Sequence, residues 1–168
     1  MKPKTVGRVT EGQHNLLHAH ELCHGIPVGL MISSLDTHIA VEHIQPGDYV
    51  TTRNGGQTRV ETVEKINVFS PGVTVPNGAF GADTPMQNMV LPIDQPILIR
   101  GRDAQRLFGQ NQAMVAAGQL TNGTSIVPAG MHMFELVRLI FDRPRVVSAS
   151  GLELGTAPLL NMPLRAVA

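Results

Sequence analysis

The segment that most constrains the fold is residues 29–56, where three strand-forming runs follow one another with only brief turns between them. The run at 30–32 is apolar, and the run at 38–41 follows a polar turn. The run at 48–52 ends at Asn54-Gly55, a dipeptide typical of type I′ β-hairpins. Short strands this close together in sequence predict a β-rich domain that begins here.

The rest of the chain supplies further strands and one short helix. Strand-forming runs are predicted at 58–68, 89–100, 113–117, 133–141 and 145–150. The run at 133–141 changes phase midway, which favours a slip in its pairing. Residues 103–108 favour a helix with Asp103 as N-cap and Gly109 as its end, and residues 70–87 are rich in Pro and Gly and favour a loop.

Residues 1–28 are predicted to be an N-terminal arm and helix that precede the β-domain. The helix is expected to begin near Thr10 and to end at His24, because Pro27 prevents its continuation. The β-domain is expected over 29–155, followed by a tail over 156–168.

Composition excludes several classes of function. Positive and negative residues number 13 each, and charged residues make up 15% of the chain, so no basic footprint for nucleic acid is expected. No apolar run approaches the roughly 18 residues of a membrane span, and no secretory signal is visible. The default location is therefore cytoplasmic, with export by another route left open. Low charge favours self-association or a protein partner.

The order of these motifs resembles the Hint domain, the fold shared by Hedgehog autoprocessing domains and inteins. The resemblance rests on 29–52 with its Pro-Gly-Asp-Tyr-Val ending, on 91–109 with its Leu-Phe-Gly ending, on Asn122-Gly123 and on 139–153. The resemblance covers roughly residues 29–155. Within the family, the motifs are similar to those of a bacterial Hint-like group. It implies an all-β horseshoe of short, curved strands, with the N-terminal helix outside it.

The resemblance also implies a self-processing site. In Hint domains a Cys or Ser opens the domain and attacks the carbonyl carbon of the preceding residue, and a histidine in the second block protonates the scissile nitrogen. Here the histidine position falls on Gln95, and a glutamine supplies no proton near neutral pH. The chain has Asn161 near its end but no His-Asn pair of the kind that closes inteins.

The nucleophile position is displaced as well. Alignment on Gly29 puts the nucleophile at Gly25, and alignment on Pro27 puts it at His24. Cys23, the single cysteine, misses by one or two residues. The positional equivalents of the catalytic groups are therefore Cys23, His24 and Gln95.

These substitutions leave two hypotheses within the family: a degenerate, non-processing binding or structural module, or a self-cleaving domain that uses Cys23. For either, Gln95 is expected near residues 23–25, with Ile97 and Ile99 on the same side of their strand. Combining Gln95→His with Gly25→Cys is expected to restore hydroxylamine-sensitive cleavage before residue 25.

A third hypothesis is a zinc-dependent hydrolase. Residues 20–24 match H-E-x-x-H, in which His20 and His24 bind zinc from one helical turn apart and Glu21 activates water. A structural alternative is a helix with a polar face, and the zinc-protease pattern lacks an obvious third ligand. The Met131-His132-Met133 run is expected to serve in packing rather than to bind copper.

Overall fold

The computed structural model describes residues 23–162, which form two antiparallel sheets and one short α-helix. The strands are β1 Ile26–Pro27, β2 Met31–Ser34, β3 Thr37–Ala40, β4 Tyr49–Thr52, β5 Gly56–Arg59, β6 Thr62–Val75, β7 Met89–Pro92, β8 Pro96–Arg100, β9 Gln112–Ala116, β10 Val127–Ile140, β11 Val146–Ala149 and β12 Leu152–Gly155. Helix α1 is Gly101–Phe108, and 3-10 turns lie at Val41–His43, Ala117–Leu120 and Leu159–Asn161.

The first sheet is built around a long two-stranded ribbon. Its order is β1-β10-β6-β7, and β6 and β10 pair along their lengths from Thr62 opposite Ile140 to Thr74 opposite Val127. The second sheet has the path β3-β2-β11-β12-β8-β9, with β4 pairing β11 and β5 pairing β4. The many short strands of the second sheet and the long ribbon of the first confirm the predicted β-rich architecture.

The core forms where apolar positions of both sheets meet. Val73 and Leu91 from the first sheet and Ile97 and Leu154 from the second belong to one cluster of fully buried side chains. In β8, Ile97 and Ile99 join this core whereas Leu98 joins a separate small cluster. Successive strand residues face opposite sides of a sheet, so the predicted alternation in this strand is confirmed.

The predicted loop at 70–87 is shorter than expected, because β6 continues to Val75. Pro71 is tolerated inside the strand because its backbone polar groups face away from β10, and its carbonyl accepts a hydrogen bond from the Ile93 N–H at 3.0 Å. The missing N–H of the proline therefore costs no bond to β10. The prediction from composition alone therefore made the loop too long.

The predicted midpoint slip in 133–141 is wrong. The register of β10 is continuous from Gly130 to Ile140, and the irregularity lies earlier, between Pro128 and Gly130. The phase change in the sequence instead reflects burial on both faces, since the adjacent residues Leu136 and Val137 are both buried. A strand that is buried on both faces loses the simple alternation of apolar and polar residues.

Two local details also differ from the sequence-based expectation. The β4–β5 turn has three residues, with Thr52 paired to Gly56, and positive φ at Asn54 and Gly56 rather than at the Asn54-Gly55 pair that type I′ requires. Helix α1 begins at Gly101, two residues before the expected N-cap. Its predicted end is confirmed, because Gly109 adopts φ 68° and its N–H bonds the Ala104 and Gln105 carbonyls.

Most of the predicted N-terminal helix lies outside the described residues. The part within them, residues 23–24, is not helical, and the chain enters β1 directly after Gly25. No helix among residues 23–162 is long and apolar enough to cross a membrane.

The packing of β8 gives the first prediction. Ile97 is fully buried and lies between Leu154 of β12 and Val115 of β9, so Ile97→Ala is expected to lower the free energy of unfolding by about 2–5 kcal/mol. Leu160→Ala is the control, since Leu160 is 98% exposed and its loss is expected to change stability by less than about 0.5 kcal/mol. Urea unfolding measures both, and equal effects would contradict the core assignment.

Candidate functional site

The buried amide of Gln95 is the centre of the site. This side chain lies just before β8 and is fully buried. Its Oε1 accepts a hydrogen bond from the Gly25 N–H at 2.8 Å. Its Nε2 donates to the Gly155 carbonyl at 2.9 Å and to the Pro96 carbonyl at 3.0 Å. One neutral side chain therefore joins the start of the described chain, β8 and the end of β12.

The peptide group between His24 and Gly25 is bonded at both of its polar atoms. Its N–H donates to Gln95, and its carbonyl accepts a hydrogen bond from Arg138 Nε at 2.9 Å. Arg138 lies on β10, and its Nη1 is 3.9 Å from the Glu64 carboxylate. Burial lowers the pKa of Arg138, with Glu64 acting in the opposite sense. An arginine remains a cation near neutral pH, so a positive charge lies at this carbonyl.

Residue 25 has no room for a side chain. Gly25 adopts φ +146°, and a Cβ built there would lie 2.9 Å from the Cβ of Leu136. Both the backbone conformation and the contact disfavour any other residue. The close contact arises because β1 pairs with β10, with Pro27 opposite Leu136.

The Cys23 thiol is buried and poorly suited to act as a nucleophile. It is 1% exposed, and burial raises its pKa. A hydrogen bond with the Ser70 hydroxyl lowers the pKa in part, while the charge of Asp94 raises it and that of Arg138 lowers it. Because the thiolate is the reactive form, the net upward shift reduces reactivity near neutral pH.

The described residues bring together Cys23, His24 and Gln95, the three residues that the sequence analysis assigned to the catalytic positions. Gln95 is bonded to Gly25, directly after His24 and two residues after Cys23. His20 and Glu21 of the zinc motif lie outside the described residues. His24 lies outside any helix, its side chain is buried, and no group of three metal-ligating side chains occurs within 23–162.

Three further groups at the site were not identified from sequence: Ser70, Arg138 and Gly155. Arg138 reaches His24 across 114 residues of chain, and only the pairing of β1 with β10 creates that contact. A cavity of about 400 Å³ lies beside Arg138 and His24, with Leu139, Phe141 and Pro144 among its mostly apolar walls. No local sequence signal marks this cavity.

Comparison with known proteins identifies the family. The family profile of the Hint domain matches residues 27–157, which is most of the chain. The chain belongs to the Hint domain family. The predicted resemblance to the Hint domain and the predicted all-β fold are therefore confirmed. No protein with a curated description matches the chain.

Solved structures of intein-like proteins are similar to this chain. The chain is similar to the bacterial intein-like domain from Clostridium thermocellum, with 15% identity, a TM-score of 0.51, and coverage of 80% of this chain and 98% of the other. It is also similar to the MchDnaB-1 intein, with 10% identity, a TM-score of 0.49, and coverage of 77% and 98%. At such low identity the first likeness supports the fold alone.

In this Hint domain, the bonding of Gln95 predicts a large stability cost for Gln95→Ala. The truncation removes three hydrogen bonds and leaves the buried Gly25 N–H and Gly155 carbonyl without their partner, so a loss of about 3 kcal/mol is expected. Gln119→Ala is the matched control, because exposed Gln119 makes one bond, to the Ala116 N–H. Urea unfolding of both variants measures the difference, and a cost as small as that of the control would contradict it.

The buried thiol predicts a dependence of stability on alkaline pH. The unfolded chain releases the Cys23 proton near its ordinary pKa of about 8.5, whereas the folded chain retains it to higher pH. The contribution of Cys23 to folding is therefore fully present below that pH and is lost as pH rises towards the folded pKa. Unfolding free energies between about pH 7.5 and 10 should fall more steeply than in Cys23→Ala. Parallel curves would contradict the raised pKa.

Proposed function

We propose that this Hint domain does not process itself and acts as a binding or structural module. The observation that supports this most strongly is the bonding of the His24–Gly25 peptide, whose position matches the family's scissile bond when the chains are aligned on Gly29. The N–H of this peptide donates to the neutral amide of Gln95. Gly25, the residue that follows the bond, has no side chain. The site retains contacts to the peptide but lacks both a nucleophile and a proton donor.

Gln95 gives this arrangement a structural role. A catalytic acid must release a proton to the departing nitrogen, whereas an amide keeps its protons and uses them to bind the Pro96 and Gly155 carbonyls. The Gln95 side chain thus connects Gly25, which precedes β1, to Gly155 at the end of β12. Gln95 therefore removes acid–base chemistry from this position and at the same time joins these parts of the chain by hydrogen bonds.

Self-cleavage at Cys23 is the alternative, and its surroundings disfavour it. Attack on the carbonyl of residue 22 requires a thiolate, but burial raises the pKa of this thiol. The protonating group would also have to act at the nitrogen of residue 23, whereas the Gln95 amide binds the nitrogen of residue 25, two residues further along.

Intact mass spectrometry tests the proposal. Full-length protein incubated with hydroxylamine at mildly alkaline pH is expected to retain a single intact mass, because no ester or thioester forms. A fragment that begins at Cys23, absent in Cys23→Ala, would support the alternative. A fragment that begins at Gly25 would contradict the assignment of this peptide as inert.

A gain-of-function variant tests the site from the other direction. Gln95→His with Gly25→Cys restores both missing groups, but a side chain at 25 must overcome φ +146° and the Leu136 contact. Circular dichroism must therefore accompany the mass measurement. A folded double variant that cleaves before residue 25 would support the site assignment, and a folded one that stays intact would count against it.

A further inference from the structure

One edge of β10 is open over a short stretch. Strand β6 covers one side of β10, and on the other side β1 reaches only to Pro27 opposite Leu136, followed by a bond from the Val28 N–H to the Glu135 carbonyl at 3.0 Å. Among residues 23–162, no strand pairs with this side of β10 before Glu135. The open stretch begins there and runs back towards Gly130.

Met131 and Met133 direct their backbone polar groups to this open side. The Glu135 carbonyl points towards β1, and alternate residues of an antiparallel strand direct their groups to the same side. The partner of Met131 on β6 agrees with this assignment, because Pro71 opposite it bonds Ile93 instead of β10. Two residues of β10 therefore present N–H and C=O groups that a further strand could bond.

The side chains beside this edge are apolar and exposed. Phe69, Met131 and Met133 are 58%, 54% and 62% exposed, and Met133 lies directly opposite Phe69 on the same face of the ribbon. The two methionines, which were expected to serve in packing, are therefore more than half exposed among the described residues. Residues 130–134 contain no Asp, Glu, Lys or Arg, the charges that usually protect such an edge from pairing.

The two ends of the open stretch of β10 determine which partner strand fits and in which register it pairs. The register of β10 is irregular between Pro128 and Gly130, which bounds the continuous stretch on one side, and Val28 blocks the edge at Glu135 on the other. The opening is thus centred on His132. A second copy placed antiparallel about that centre sets Met131 opposite Met133 of the second copy, and the reverse. Moving the two-fold centre by one residue, to residue 133, would place Met131 opposite Glu135, which Val28 already bonds.

We propose that two copies of this chain associate edge to edge through residues 130–134 of β10. The result is a two-fold symmetric sheet of order β6-β10-β10-β6, in which each Met133 lies between Phe69 of its own chain and Met131 of the other. The edge is complementary to itself in length, in backbone polarity and in its lack of charge. The pairing is small compared with the roughly 800 Å² per partner of a standard interface, so we expect a dissociation constant of about 10 μM to 1 mM.

Sedimentation of the full chain tests the association. Between about 1 μM and 500 μM the average mass is expected to rise from monomer towards dimer. Met133→Lys places a charge at the edge and is expected to weaken association at least about tenfold. Met86→Lys is the matched control, because Met86 is 48% exposed and lies in the loop after β6, and it should leave association unchanged.

Two results would overturn the proposal: a monomer at every concentration, or a dimer that Met133→Lys does not weaken. In the first case the edge is free for a different protein strand. In the second, another surface carries the association.

Disulfide trapping tests the register. In the proposed pairing the two copies of residue 132 form a non-hydrogen-bonded pair, with Cα atoms about 4.5 Å apart, which lies within the range of a disulfide. His132→Cys is therefore expected to form covalent dimers under mild oxidation. Leu107→Cys, on exposed α1, should form them much more slowly. Equal rates would contradict the pairing. Faster trapping by Met133→Cys than by His132→Cys would contradict its centre.

Discussion

The arrangement of this domain depends on a single buried amide. Gln95 accepts a hydrogen bond from the N–H of Gly25 and donates to the carbonyls of Pro96 and Gly155. A primary amide suits this position because it offers an acceptor and two donors at once. A buried carbonyl or N–H without a partner costs free energy, so the three surrounding backbone groups specify this side chain as closely as it fixes them.

The glycine at residue 25 and the neutral amide at residue 95 belong to one structural solution. Pairing of β1 with β10 brings Gly25 against Leu136, where only glycine fits, and the same approach brings the Gly25 N–H to Gln95. Arg138 binds the carbonyl on the other side of the peptide. The His24–Gly25 peptide is thereby bonded at both of its polar atoms by contacts that stabilise the folded chain.

Much of the fold could be predicted from sequence because it rests on local patterns. The period-two alternation of Ile97 and Ile99, the helix end at Gly109 and the order of the short strands all follow from neighbouring residues. The expectation that Gln95 lies near residues 23–25 came from the resemblance to the family and not from a local pattern, because Gln95 and Gly25 are 70 residues apart in the chain. Arg138 could not be found in this way, since its contact with His24 spans 114 residues and depends on strand pairing. Nor could the continuation of β6 through Pro71, which depends on the direction that its backbone faces.

The exposed run at Met131 and Met133 illustrates the same limit, because apolar residues in a strand predict burial only when a neighbouring element covers them. Long-range pairing decides which faces of the ribbon are covered, and it leaves this stretch at an edge.

Native-state hydrogen exchange at the Gly25 amide tests the central claim most directly. If Gln95 binds this N–H permanently, the amide should exchange only through global unfolding, as slowly as those of the core strands, although it lies in irregular backbone. In Gln95→Ala that protection should be lost while the core of β8 and β12 stays protected. Rapid exchange at Gly25 in the unmodified chain would contradict the account.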